Sequence, residues 1–177
     1  MIDAAKKHLT NLNIIDKFDL VCKDIFEDDF DLPEKYDCII LSYTITTFIN
    51  TQEMLDKLLS QCSKVVKDTG YLFIADFQFV SIPQDNWWAG MYTKSRNGDQ
   101  PPVEFQPFEF YIEHSKDYPF EIFHIPAYRM IKAGLEAGFK IVEHKLQYPD
   151  PEVKDDKVIK RYIEECKPND YLIKFRF

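Results

Sequence analysis

Two short stretches of this chain are apolar without alternation. One is Cys38-Ile39-Ile40-Leu41, entered from Tyr36-Asp37; the other is Tyr71-Leu72-Phe73-Ile74-Ala75. Unbroken apolar runs of this length predict strands buried on both faces, as in a parallel sheet. Between them Met54, Leu55, Leu58, Leu59, Cys62, Val65 and Val66 fall on one helical stripe. Asn50 is the expected N-cap of that helix, with Glu53 three residues on, and Gly70 the expected left-handed residue just past its end. Strand, helix and strand at this spacing predict a βαβ unit, with parallel strands and a right-handed crossover. The first strand stops at Ser42-Tyr43-Thr44, and the carboxyl edge of such a sheet is where open α/β folds bind ligands.

The pattern elsewhere fills in the surroundings. Ile2, Ala5, Leu9 and Leu12 predict an amphipathic helix over residues 2–12, and Phe18-Asp19-Leu20-Val21-Cys22 a strand. The acidic run from Glu27 to Asp31, closed by Pro33, reads as a solvated loop. Residues 77–104 read as irregular. Alternation at Phe108, Phe110 and Ile112, and again at Tyr118, Phe120 and Ile122, predicts an antiparallel hairpin around Ser115-Lys116-Asp117. Pro126 and Gly138 bracket a helix from Ala127 to Ala137. A strand over Phe139–His144, a helix over 155–166 and an alternating last strand (Tyr171, Ile173, Phe175, Phe177) complete the chain. Nearly half of the aromatic residues lie between 77 and 128. Residues 78–125 are therefore expected to be an insertion or lid, forming either a second core or the wall of an apolar pocket.

Composition narrows the classes. The 177 residues suit a single domain spanning 1–177. A net charge of −8 argues against a general nucleic-acid binder, which needs a basic surface. No apolar run reaches membrane-span length, and the N-terminus has no signal-peptide core, so a cytoplasmic protein is expected. Cys22, Cys38, Cys62 and Cys166 are far apart and read as buried free thiols; with the histidines equally scattered, no metal site is expected. The first 69 residues contain no glycine, so no glycine-rich loop near the start can cradle a nucleotide. The same lack of fingerprint glycines speaks against a nicotinamide dehydrogenase.

In this order the elements resemble the second two-thirds of a class I S-adenosylmethionine-dependent methyltransferase. Met1-Ile2-Asp3-Ala4-Ala5-Lys6-Lys7 is similar to the helix after that family's second strand, and Asp24-Ile25 to the acidic dipeptide after its third. Tyr36 to Tyr43 resembles the fourth strand, and Lys67-Asp68-Thr69-Gly70-Tyr71-Leu72 its "L-K-P-G-G-x-L", with Asp68 and Thr69 in place of Pro and the first Gly. The aromatic hairpin, Tyr128, Ala133 to Phe139 and Leu146-Gln147-Tyr148-Pro149 are similar to the small-molecule, toxoflavin synthase-like branch. The resemblance implies an α/β fold: a Rossmann-like methyltransferase sheet, mostly parallel with an antiparallel last strand, N-terminally truncated, plus the aromatic β-hairpin insertion. The family's first strand, glycine-rich cofactor loop and second strand have no counterpart in this sequence. The sequence is then incomplete at its start, or another chain supplies the missing part, or this is a remodelled, non-catalytic relative serving as a structural or interaction module.

The activity implied is methyl transfer from S-adenosylmethionine to a small molecule. Asp24 would accept the adenine amino group, with Ile25 against the ring, and Ser42, Tyr43 and Thr44 would line the methionine and ribose side. A turn aspartate and a capped strand end are the plain structural alternatives. Thr46 and Thr47 are further candidates at the same edge. Trp87, Trp88, Tyr92, Phe110 and Tyr111 would clamp a planar acceptor or shield the sulfonium, unless they only pack the lid. Tyr111 and His124 are the candidates for a base, with His114 beside them, should the acceptor carry a proton. Without its first two strands the sheet would expose an edge, which a protein partner could cover.

Overall fold

A computed structural model of the chain describes residues 2–77, 91–95, 103–112, 117–147 and 170–177. It forms two compact units, Met1–Asp31 and Leu32–Phe177. The first holds helix α1 (Ile2–Asn11), a 3-10 turn (Ile15–Lys17) and extended chain. Phe18–Cys22 is not a strand: Phe18 and Val21 are about half exposed, and no ladder holds this stretch. A strand needs a neighbour for its N–H and C=O groups, and apolar residues alone do not provide one.

The second unit is built on β1 (Tyr36–Ser42), helix α3 (Gln52–Val65) and β2 (Val66–Phe77), with a one-turn helix α2 (Ile45–Phe48) between β1 and α3. β1 and β2 are parallel, as the spacing requires, with Cys38 opposite Tyr71 and Ser42 opposite Ala75. Helix α4 (Ala127–Glu136) and strands β6 (Lys140–Gln147) and β7 (Asp170–Arg176) complete a four-stranded sheet in the order β1-β2-β7-β6. β7 runs antiparallel to both neighbours, which agrees with the expected antiparallel last strand.

α3 and α4 pack on each other and on one face of this sheet. Leu55, Leu58 and Leu59 of α3, Met130 and Ala133 of α4, and Leu72, Ile74, Ile173 and Phe175 of the strands form its core. Gly134 makes the close approach possible: a Cβ there would lie 2.5 Å from the Phe175 ring. Gly138, at φ +94, ends α4 in the left-handed conformation. Gly70 does not play that part for α3. It lies inside β2, where a Cβ would stand 2.7 Å from Val66 Cγ2 and 3.0 Å from the Asp37 carbonyl, so the backbone's return demands glycine for space. The α3 cap is Thr51 rather than Asn50, its side chain accepting the Met54 N–H at 3.2 Å.

The opposite face differs from expectation. β1 and β2 are not buried on both sides: Ile40 is 69% exposed, Cys38 is exposed, and Tyr71 and Phe73 are half-buried. Lys174 lies over both rings, 4.5 and 5.4 Å from their centroids. Cys22 and Cys38 are thus exposed, and of the expected buried thiols only Cys62 is buried among the described residues.

The aromatic segment forms a second sheet, in the order β3-β4-β5, from β3 (Met91–Ser95), β4 (Pro107–Ile112) and β5 (Phe120–Phe123). The expected hairpin is its β4–β5 pair, and β3 is an added strand within a stretch read as irregular. α2 packs on both β5 and β2, so this sheet is docked beside the carboxyl end of β1. The helix expected over 155–166 lies outside the described residues.

Candidate functional site at the carboxyl edge of the sheet

At the end of β1 the chain turns sharply. Tyr43 has φ +51, a left-handed conformation that costs a non-glycine residue about 1–2 kcal/mol. Its N–H donates to the Ala75 carbonyl at 2.8 Å, tying the turn to β2. Thr44 then leads into α2, and its carbonyl accepts the Thr47 hydroxyl at 2.6 Å. The Thr44 Oγ1 itself is buried and has no hydrogen-bond partner among the described residues. A buried hydroxyl left unpaired costs about 1–3 kcal/mol, so this atom has the capacity to bond a ligand or a water. Ser42 is exposed and Tyr43 is 42% exposed, both at the open side of the turn.

One residue of this edge escaped the sequence reading. Asp76, at the end of β2, is fully buried. Its Oδ2 accepts the N–H groups of Ile45 (3.1 Å) and Thr46 (3.3 Å), and its Oδ1 accepts the Thr46 hydroxyl (2.6 Å). The only signal in the sequence is a carboxylate closing an apolar run; its partners lie 30 residues away.

Asp24 and Ile25 belong to the first unit. Asp24 Oδ1 accepts the Phe26 N–H at 2.8 Å, and Glu27 N–H donates to the Asp24 carbonyl, so Asp24 builds a turn. Ile25 is half-buried there.

The aromatic sheet divides the other candidates. Phe110 is buried with Phe108 on one face of β4, while alternation sends Glu109 and Tyr111 to the other. The Tyr111 hydroxyl donates to Glu109 Oε2 at 2.6 Å. Tyr92 stands opposite Tyr111 in the β3–β4 register. Trp87, Trp88 and His114 lie outside the described residues. His124 follows β5; its ring meets Phe108 edge-on at 6.4 Å, on the side away from Tyr111. Its Nδ1 is buried without a partner among the described residues. Burial lowers its pKa from 6.5, partly opposed by Glu104, which is itself paired to Arg129. Burial also pushes the Cys62 thiol up to about 12, which makes it inert. Among the described residues no group of three or more His, Cys, Asp or Glu could hold a metal ion, and no helix is long and apolar enough to cross a membrane.

No family profile matches the sequence, and no curated protein does either. Solved structures match the fold. A S-adenosylmethionine-dependent methyltransferase from Clostridium acetobutylicum aligns over 99% of this chain and 70% of its own, with TM-score 0.63 and 12% identity. The CcbJ methyltransferase from Streptomyces caelestis aligns over 99% and 75%, with TM-score 0.64 and 10% identity. The glycopeptide N-methyltransferase MtfA, complexed with S-adenosylhomocysteine, aligns over 99% and 69%, with TM-score 0.63 and 11% identity. The fold is therefore that of class I S-adenosylmethionine-dependent methyltransferases.

Proposed function

We propose that this chain binds S-adenosylmethionine at the carboxyl edge of β1 and takes part in methyl transfer to a small molecule. The observation that carries the reading is the strand end itself. A parallel β1–β2 pair stops at Ser42-Tyr43-Thr44, and the buried, unpaired Thr44 hydroxyl offers a hydrogen bond there. That donor set fits the ribose and methionine end of the cofactor. When bound, the cofactor supplies an electrophilic methyl group on a sulfonium. The protein's work is then to hold and align an acceptor and keep water away. Tyr92 and Tyr111, opposite each other in the β3–β4 register, would hold a planar acceptor, with Trp87 and Trp88; Phe110 lies on the other face of β4, in the core. A base is needed only for an acceptor that carries a proton. Tyr111, on the face that would hold the acceptor, is the group available for it; His124 packs against Phe108 on the other side of β4.

Calorimetry on the 177-residue chain tests the reading directly. Micromolar binding of S-adenosylhomocysteine is expected, with Thr44→Val weakening it about tenfold, the size of one hydrogen bond to a buried group. Absence of binding would remove the cofactor.

A second reading is favoured by the exposed Ile40 and by the β1 edge, which pairs only with β2 among the described residues. In it the chain is a non-catalytic module whose open sheet is covered by a protein partner. Tight association with another protein, without any affinity for S-adenosylhomocysteine, supports this reading over the first.

A further inference from the structure

The turn that the cofactor reading depends on is held at both ends by two consecutive residues of β2. Ala75 accepts the Tyr43 N–H, before Thr44. Asp76 accepts the Ile45 and Thr46 N–H groups and the Thr46 hydroxyl, after it. Between these anchors Tyr43 stands at φ +51, a conformation that persists only where its surroundings over-determine it. α2 is one turn long and could not hold its own start. Thr44, its N-cap residue, makes no capping bond of its own. The capping of α2 has been moved from the residue before it to a carboxylate on the neighbouring strand.

We propose that Asp76 is a positioning residue for the cofactor edge. It fixes the first turn of α2, and through it the Tyr43 conformation and the place of the Thr44 hydroxyl. The proposal rests on the cofactor reading above. The chemistry favours a carboxylate over an amide, because all three donors find an acceptor in it, two on Oδ2 and one on Oδ1. Asparagine keeps one acceptor oxygen for the backbone amides and turns an NH₂ toward the Thr46 hydroxyl, which can accept. It is therefore the conservative replacement, and alanine the severe one.

The test pairs amide hydrogen exchange, followed by NMR, with calorimetry of S-adenosylhomocysteine on the full chain. Asp76→Ala should speed exchange at Ile45 and Thr46 and weaken binding, each by about tenfold or more, the loss of charge-assisted bonds to a buried acceptor. Asp76→Asn should recover part of both, and exchange in β6 should stay as in the wild type. If Asp76→Ala fails to fold, Thr46→Val removes only the 2.6 Å bond and should weaken binding by about threefold. Wild-type affinity in the variants, with the wild type binding, overturns the proposal and leaves the cofactor reading standing. Faster exchange without loss of affinity also overturns it. A wild-type chain that binds no S-adenosylhomocysteine overturns both.

Discussion

On one face of the four-stranded sheet Leu72, Ile74, Ile173 and Phe175 are fully buried under α3 and α4; on the other, Ile40 is 69% exposed and Cys38 open. The same strands supply both faces, so neither propensity nor local sequence explains the contrast. Ile39, Ile40 and Leu41 are equally apolar neighbours. What separates them is that, among the described residues of this unit, α3 and α4 pack on the face that carries Leu72, Ile74, Ile173 and Phe175. The second face is apolar near β1 and turns cationic across the sheet, where Lys174 covers Tyr71 and Phe73. A face written for burial is here left exposed.

The sharpest way to break this contrast is to truncate one residue on each side. Phe175→Ala should cost about 3–5 kcal/mol, a large aromatic removed from a closed core. Ile40→Ala should stay within about 0.5 kcal/mol, as for an exposed site. Urea denaturation measures both. A costly Ile40→Ala would mean that the open face is covered in solution. Next in size is Gly134→Val, which forces a side chain into the Phe175 ring and should cost about 1–3 kcal/mol by overpacking; Phe175→Leu in the same chain should return part of that.

The open face has a smaller test of its own. Lys174→Met removes the cation over the two rings and should cost about 0.5–1 kcal/mol, less at high salt. No loss at either ionic strength would make the cation an accident of the surface.

The smallest effect lies off this sheet, at His124. Burial lowers its pKa below 6.5, so the unfolded chain takes up a proton that the folded one does not. Stability is then full above about pH 6.5 and falls as the pH drops through the folded value. His124→Phe should flatten that acid limb in denaturation curves at pH 5 and 7, and an unchanged slope would assign it to other groups.

What could be read from the sequence follows from how far each signal reaches. The βαβ unit, α4 and the last strand were legible because their periods are local and their cores continuous. Tyr171, Ile173 and Phe175 alternate, and are buried, as written. Phe18–Cys22 failed because strand formation depends on a neighbour that no local pattern encodes. Asn50 and Thr51 are adjacent and both able to cap, and only geometry chose Thr51. Gly70 stood where a helix-ending glycine should, yet served a close approach to a carbonyl of another strand. In the candidate site, Ser42-Tyr43-Thr44 could be placed from the strand end, whereas the positive φ of Tyr43 and the reach of Asp76 are tertiary. Phe110 and Tyr111 were grouped by composition, and the pleat then parted them.

The thiols carry a practical consequence. Cys38 sits on the open face and Cys62 inside the helical core, with its thiol raised to about 12. A maleimide dye applied to a chain with Cys22 and Cys166 changed to serine would therefore mark the open face alone. Its emission would report whatever settles there, and the second thiol would remain silent until the core itself came apart.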